Sequence, residues 1–219
     1  MGHIESVNVG VSKPYAAKTG RSGIDKYGTD GPVRVEAPGP AGAGLAGDTV
    51  VDVFGHGGPD QAVYAFAREE LDGWAARLER PVRAGLFGEN LTTVGVAVDD
   101  ALIGEVWEVG PEVVLQVTLP RIPCVTFEDQ LKRPGWIREF TAHGRVGAYL
   151  RVLRPGAVRA GDPVTVRDRP ESPLTVSMAF RALTLEPELL PVLAAAPVEL
   201  PAKLATKLAA RLARRVPTT

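Results

Sequence analysis

The sequence predicts a mainly β fold with some α structure: a barrel-like sheet followed by a small C-terminal three-helix unit. Short runs of valine and other β-branched residues recur between glycine-containing turns up to residue 168. The strand-helix-strand alternation that builds parallel sheets is not recognisable, which favours antiparallel pairing. Beyond the run RPESP, leucines at helical spacing replace the strand pattern. The expected domains are therefore residues 1–168 and residues 172–219.

The first quarter of the chain alternates between strands and loops. Valines at every second position in residues 7–11 and 33–35 predict half-buried strands. The run TVVDVF at residues 49–54 is β-branched and predicts a buried strand. Residues 19–31 are rich in Gly, Ser and Asp and predict a loop, whose basic side chains are either simply solvated or available to an anionic ligand.

A histidine turn follows, with the sequence GHGGPDQ at residues 55–61. The glycines beside His56 allow the backbone to approach a ligand closely, so this turn is a candidate site. Pro59 then opens a predicted helix that serves as core scaffold. The apolar face of that helix comprises Leu71, Trp74, Ala75 and Leu78.

The second half of the barrel region is predicted to be mostly β, with one short helix near residues 136–140. In the turn at residues 85–93, Asn90 is interpreted equally well as a ligand-binding residue or as a turn cap. Gly-bounded apolar runs predict the remaining strands. These runs are residues 106–109, 113–119, 146–153 and 164–166.

The one cysteine of the chain, Cys124, ends the segment LPRIPC. Its two prolines restrict the backbone, so the segment is stiff and can orient a thiol. Arg121 supplies a nearby positive charge that favours the thiolate, the form that attacks electrophiles and binds soft metals. The alternative is that Cys124 is a small buried hydrophobic residue, which is the commonest state of a free cysteine.

Composition limits the classes of partner. The 25 basic residues nearly balance the 26 acidic ones, which argues against nucleic acid and against a membrane surface as partners. One cysteine excludes a disulfide framework and an iron–sulfur cluster held by several thiolates of this chain. The N-terminus lacks the pattern of a signal peptide, and no window resembles a membrane span, so we expect a cytoplasmic protein.

The predicted C-terminal helices end in a basic amphipathic stretch. A leucine row with alternating basic residues can bind a membrane surface or a partner, but it more often packs on its own domain, which we favour here. Packing against the barrel of a second subunit would allow a homodimer. The row consists of Leu200, Leu204, Leu208 and Leu212.

Six short motifs occur in order along the chain. They are GLAGD (44–48), HGGPDQAV (56–63), FGENLTT (87–93), IGEVWEVG (103–110), PRIPC (120–124) and RVGAYLRVLRPGAVRAGD (145–162). Together they resemble the MOSC domain, the C-terminal domain family of molybdenum cofactor sulfurases, in which the six pieces occur in the same order. The resemblance covers roughly residues 5–168. With RSGIDK (21–26) in front and three helices behind, the chain is most similar to the YiiM-like bacterial branch.

This resemblance implies a MOSC-type β-barrel that holds molybdopterin, the molybdenum cofactor, with no requirement for pyridoxal phosphate. Cys124 matches the family's cysteine and would be the protein ligand of molybdenum, consistent with the softness of a thiolate. His56 would be the catalytic proton donor, because histidine changes charge near neutral pH. The implied cofactor-binding residues are Lys26, His56, Gly57, Asn90, Arg121 and Tyr149.

The implied activity is reduction of N-hydroxylated bases or amines, from N–OH to N–H. The sequence has no recognisable nucleotide-binding motif, so electrons would come from a separate reductase, and the other partner would be the small N-hydroxylated substrate. One alternative is a carrier without turnover, in which Cys124 holds a persulfide or delivers the cofactor. Another is a cofactor-free binding domain.

Overall fold

The computed structural model describes residues 2–15, 19–39 and 42–214. Within them, strands dominate up to residue 168 and helices thereafter. The strands are β1 (Gly2–Val9), β2 (Lys13–Pro14), β3 (Arg21–Ser22), β4 (Tyr27–Gly28), β5 (Val33–Val35), β6 (Val63–Ala67), β7 (Leu91–Val94), β8 (Val106–Val109), β9 (Val113–Pro120), β10 (Ala148–Arg154), β11 (Gly156–Val158) and β12 (Pro163–Asp168). The helices are α1 (Val53–His56), α2 (Arg68–Leu78), α3 (Val125–Leu131), α4 (Trp136–His143), α5 (Val176–Thr184), α6 (Leu190–Ala194) and α7 (Ala202–Ala213).

Seven of these strands close into a barrel, in the order β12, β8, β9, β10, β6, β7 and β1, with β1 pairing back to β12. All neighbours are antiparallel except β6 and β7, which are parallel. Closure leaves no exposed sheet edge around the barrel. The predicted barrel-like fold with a helical C-terminal part is therefore confirmed.

The central strand of the barrel wall is β9, whose residues are almost all buried. Val113, Leu115, Val117 and Leu119 make one face fully apolar, whereas the other face includes Gln116 and Thr118. Helix α5 contacts the strand. At its end, Pro120 begins the rigid segment that leads to Cys124. The barrel thus fixes the direction in which the cysteine segment leaves the sheet.

An aromatic cluster packs helices α2, α3 and α4 together. The rings of Trp74 and Trp136 lie 4.6 Å apart between centroids, and Phe127 lies 5.1 Å from both Phe87 and Phe140. All five side chains are fully buried. Each aromatic pair contributes about 0.5–1.5 kcal/mol beyond its buried area. The cluster therefore holds α3, and with it the residue that precedes α3, Cys124.

The three C-terminal helices occur where the leucine pattern predicts them, as far as residue 214. Thr175 caps α5 by accepting a hydrogen bond from the Met178 N–H at 3.1 Å, and it also pairs with Leu102 beside the barrel. Leu204 and Leu208 of α7 are buried within the chain itself. The row thus packs internally, as expected; the domain division between residues 168 and 172 stays a prediction. None of the described helices has the length and apolarity needed to span a bilayer.

Two segments differ from the expectations. Residues 49–54 form no strand: the chain turns into the short helix α1, capped where the Asp52 carboxylate accepts from the Gly55 N–H at 2.9 Å, and Phe54 is 95% exposed. The glycines on both sides favour this turn over an extended run. Residues 63–67 were expected in a helix but form β6. Because VYAFA is buried on both faces, it lacks the alternation of apolar and polar residues that would have identified a strand in the sequence.

Candidate functional site

A cavity of about 290 Å³ lies beside the end of β9, enclosed by residues 19–26, 48–56 and 121–126. Six of the seven residues expected from the sequence line it. Gly57 is the exception; it neighbours His56, but it is not part of the cavity wall. The six lining residues are Lys26, His56, Asn90, Arg121, Cys124 and Tyr149.

Cys124 immediately precedes α3 and is partly buried. Its carbonyl oxygen accepts hydrogen bonds from the N–H groups of Phe127 at 2.9 Å and Glu128 at 3.2 Å, which fixes the backbone. Burial alone raises the pKa of the thiol, but a hydrogen bond from His56 and the charge of Arg121 outweigh it and lower the pKa to about 6. The side chain is therefore mainly a thiolate at neutral pH.

Arg121 is a buried cation, only 4% exposed. Its guanidinium carbon lies 4.0 Å from the ring centroid of Phe127, and Nη1 donates to the Phe87 carbonyl oxygen. Among the described residues, no carboxylate pairs with it and its Nε has no hydrogen-bond partner. The nearby Cys124 thiolate offsets part of this charge. Because burying a charge is costly, the free Nε favours a further anion in the cavity.

His56 ends α1 and connects the thiol to a tyrosine. Its Nδ1 lies 3.4 Å from the Tyr149 hydroxyl, and its imidazole helps to lower the pKa of the Cys124 thiol. Burial raises the pKa of Tyr149 to about 12, so the phenol stays protonated across the physiological range. The three side chains therefore lie together at the cavity wall.

Lys26 and Asn90 are bound mainly to the protein. Lys26 forms a buried ion pair with Asp48, and burial lowers the lysine pKa while Asp48 opposes that change. The Asn90 amide donates to Asp48 Oδ2 at 2.9 Å and to the Asn8 carbonyl at 3.2 Å, and it accepts from the Tyr64 N–H at 3.1 Å. Asn90 therefore ties β1, β6 and the loop at Asp48 together, and a ligand-binding role for either residue stays a prediction.

The cavity wall includes further polar residues that were not among the expected site residues. Asp48 lies in the motif GLAGD and Gln61 in the motif HGGPDQAV, and both line the cavity. The sequence alone does not distinguish them from the neighbouring residues of these motifs. The buried Oε1 of Gln61 has no hydrogen-bond partner in the described part of the chain. Arg21 lies at the cavity wall with its Nε donating to Ser12 Oγ at 2.9 Å.

The donor set suits a metal that brings most of its ligands with it. Within residues 2–15, 19–39 and 42–214, no three His, Cys, Asp or Glu side chains are grouped closely enough to hold a bare metal ion. The cavity instead offers one thiolate together with cations. This combination fits an anionic complex whose soft metal accepts one protein sulfur.

The sequence model of the MOSC domain family matches residues 53–165 of this chain. Among curated proteins, YflK of Bacillus subtilis is 36% identical over 62% of the chain and 61% of its own length. A protein named reductase from Gibberella moniliformis is 32% identical over 77% of the chain but only 30% of its own length. YiiM of Escherichia coli is 34% identical over 58% of the chain and 57% of its own length. The chain thus spans less than two thirds of these relatives.

The fold has a solved counterpart. The crystal structure of YiiM from Geobacillus stearothermophilus superimposes with a TM-score of 0.77 at 28% identity, and the match covers 97% of this chain and 100% of that one. The likeness therefore extends through the C-terminal helices as well as the barrel. From the matched domain and this fold, the chain belongs to the MOSC domain family.

Proposed function

We propose that the cavity binds the molybdenum cofactor and that the chain uses it to reduce N-hydroxylated bases or amines. The observation that carries the proposal is the pairing, in one cavity, of an ionised Cys124 with the buried Arg121, whose Nε has no hydrogen-bond partner among the described residues. Membership of the MOSC family supports the choice of cofactor, because molybdenum cofactor binding is associated with such domains. The relative named reductase supports the class of reaction.

The residues present fit this cofactor. The cavity volume, about 290 Å³, lies just below the roughly 300–1,000 Å³ of small-molecule sites. The Cys124 thiolate would ligate molybdenum, and the free Nε of Arg121 would donate to the anionic part of the cofactor. Arg21 at the wall adds a second cation. When bound, the cofactor supplies the electron pair and the metal chemistry for N–O cleavage.

The protein side chains then supply protons and orientation. Reduction of R–NH–OH to R–NH₂ breaks the N–O bond, takes up two electrons and two protons, and releases the oxygen as water. His56 delivers a proton toward the departing oxygen, and the neighbouring Tyr149 hydroxyl holds the imidazole. The unpaired Oε1 of Gln61 accepts a hydrogen bond from an N–H of the substrate.

The electrons come from a separate reductase. A single cysteine cannot supply the several thiolates of an iron–sulfur cluster, and the sequence has no recognisable nucleotide-binding motif. The proposed partners are therefore the small N-hydroxylated substrate and a reductase module outside these 219 residues, with a homodimer allowed and with neither nucleic acid nor membrane required. The proposed compartment is the cytoplasm.

A second candidate is a carrier of sulfur or cofactor without turnover. The observation that favours it is the same ionised thiolate, since a partly exposed cysteine whose thiol pKa is about 6 also reacts with sulfur donors. The two candidates share the cavity and differ in whether a substrate is consumed there.

Expression in two hosts separates these candidates. The protein is purified from a host that makes molybdopterin and from a matched host that cannot, and molybdenum and pterin are measured in both. The proposal expects both components only from the first host, together with consumption of an N-hydroxylated purine in the presence of a reduced viologen dye. Cofactor without turnover favours the carrier. Absence of molybdenum and pterin from both preparations contradicts the reductase and the cofactor carrier, and it leaves the persulfide carrier as the remaining candidate.

A further inference from the structure

Helix α7 carries a row of positive charge along one side. Lys203, Lys207 and Arg211 follow one another at intervals of four positions, so they form a basic stripe about 12 Å long. In the part of the chain that the structure describes, the side chains of Lys207 and Arg211 have neither an ion pair nor a hydrogen bond. Burial and the charge of Arg211 both lower the pKa of Lys207. The stripe therefore lacks the negative charge that would stabilise it.

The basic stripe begins beside the cavity. Lys203 Nζ donates a hydrogen bond to the carbonyl oxygen of Gly57 at 2.8 Å, and Gly57 follows His56, which lines the cavity. The backbone N–H of Lys203 donates to Asp60 Oδ2 at 2.9 Å, and Asp60 Oδ1 accepts from Arg151 Nε of β10 at 3.1 Å. These bonds fix the start of α7 to the barrel. A protein that binds the stripe is thus held next to one wall of the cavity.

The turn that Lys203 contacts also exposes an aromatic side chain. Phe54 is 95% exposed and Val53 is 38% exposed, and helix α1, to which both belong, contains no buried residue. Packing within the chain therefore does not account for Phe54. Interfaces between proteins combine aromatic anchors with basic side chains, arginine above all. The α1 turn and the basic stripe together have that composition.

A membrane surface suits α7 less well than a protein does. A helix that lies in a membrane interface inserts its apolar face among the lipid chains. The leucines of this face, Leu204 and Leu208, are 0% and 6% exposed because they pack in the protein core. The net charge of the whole chain is −1, so the stripe is a local feature and not part of a general attraction to anionic surfaces. Its cations are matched best by an acidic patch on another protein.

We infer that the basic stripe and the exposed turn of α1 form the docking face for an acidic electron-transfer protein. This inference rests on the proposed function, which requires electrons from outside the chain. Each turnover oxidises two molecules of a reduced one-electron carrier, and their two electrons, with two protons, convert R–NH–OH into R–NH₂ and water. Complementary charge speeds the encounter, because electrostatic steering acts mainly on the association rate.

The test measures binding of an acidic plant-type [2Fe–2S] ferredoxin, used as the probe, to the full-length protein. The double substitution Lys207→Gln and Arg211→Gln should weaken this binding about tenfold at low salt, and high salt should weaken binding to the wild type similarly. Phe54→Ala should weaken it as well, because the aromatic anchor is lost. The matched control, Lys132→Gln with Arg138→Gln, removes two exposed cations from the surface of α3 and α4 and should bind like the wild type.

Circular dichroism checks that each variant folds. If the double variant of the stripe does not fold, Arg211→Gln alone replaces it, because Arg211 is exposed. Equal ferredoxin binding by the wild type and a folded stripe variant would overturn the inference. Absence of ferredoxin binding by the wild type, or binding to phosphatidylserine vesicles in its place, would also overturn it.

Turnover distinguishes this inference from the proposed function. A reduced viologen dye needs no docking face, so dye-driven consumption of an N-hydroxylated purine should be the same in the wild type and the stripe variant. Ferredoxin-driven consumption should fall about as much as binding does. Absence of dye-driven turnover in the wild type would contradict the proposed function, while the binding measurement would still decide the docking face.

Discussion

The guanidinium of Arg121 and the thiol of Cys124 face the same cavity from positions three residues apart, and the charge of the first helps to ionise the second. Pro123 and the end of β9 fix this spacing, while the ring of Phe127 supports the guanidinium at 4.0 Å. The site is thus preorganised for an anionic ligand with a soft centre. The predictions below follow from this pair and its surroundings.

The first prediction is that Cys124 alkylation has its midpoint near pH 6, whereas an ordinary cysteine has a pKa of about 8.5. Below the midpoint the rate should fall about tenfold per pH unit, because the thiolate is the nucleophile. The guanidinium-unfolded protein is the control and should show the ordinary value. A folded-state midpoint above pH 8 would contradict the electrostatic description of the site.

The same shift makes a linked contribution to stability. The folded pKa of Cys124 lies below the unfolded one, so its stabilising effect is complete above the unfolded pKa and is lost as the pH falls through the folded value. We expect the wild type to lose this contribution between about pH 8.5 and pH 6. Cys124→Ser lacks this contribution, so the difference in urea unfolding midpoint between the two proteins should become smaller as the pH falls across that window.

The second prediction concerns Arg121→Lys. Lysine keeps the charge but lacks the planar guanidinium of arginine, whose Nη1 donates to the Phe87 carbonyl and whose Nε is free to bind a ligand. Cofactor affinity should therefore fall about tenfold, while the thiol pKa stays low. Arg121→Met removes the charge and should raise the alkylation midpoint as well. Equal effects of both substitutions on alkylation would mean that the charge of Arg121 does not act on the thiol.

The third prediction concerns the buried ion pair of Lys26 and Asp48 in the cavity wall. The side chains of Lys26 and Asp48 are 7% and 3% exposed, and Asp48 Oδ1 also accepts from the Gly10 N–H at 2.8 Å. Asp48→Asn leaves Lys26 uncompensated and should lower the free energy of unfolding by roughly 3–5 kcal/mol in urea titrations.

The matched control for Asp48 is Asp129→Asn at the exposed pair with Lys132, where the lysine side chain is 74% exposed. Exposed pairs contribute only about 0–1 kcal/mol, so this substitution should be nearly neutral. Similar losses of stability in the two variants would show that burial does not determine how much the pair of Lys26 and Asp48 contributes to the free energy of unfolding.

The fourth prediction uses the unpaired amide oxygen of Gln61. Gln61→Met keeps the length of the side chain but removes a buried acceptor without a partner, so the cofactor-free protein should unfold at the same or a higher temperature. Binding of an N–H-bearing substrate should weaken, seen as a higher KM with little change in kcat. A lower melting temperature with unchanged KM would contradict the proposed role of Gln61.

Much of the barrel could be predicted because β8 and β9 are valine-rich runs bounded by glycine. The strand β6 could not, since VYAFA is buried on both faces and its periodicity is lost. The thiol was identifiable from the stiff LPRIPC segment alone. Its low pKa also depends on His56, which reaches it only through tertiary folding.

Long-range polar contacts were the least accessible from sequence. Lys203 and Gly57 are separated by 146 positions, and the amphipathic pattern of α7 explains its leucines but gives no reason to connect its first lysine with a glycine carbonyl. The unpaired atoms of Gln61 and Arg121 are likewise defined by what surrounds them in three dimensions. Such features require the packed structure because no local propensity encodes them.

The most direct test of the central claim is the molybdenum-to-protein ratio of Cys124→Ser beside the wild type and Val125→Ala, all made in a host competent for cofactor synthesis. Val125 adjoins the cysteine but is 65% exposed, so it controls for local disturbance. Serine is similar in size but is a hard and poorly ionised ligand. The account predicts molybdenum and pterin in the wild type and Val125→Ala and loss of molybdenum in a folded Cys124→Ser; equal molybdenum in all three would contradict it.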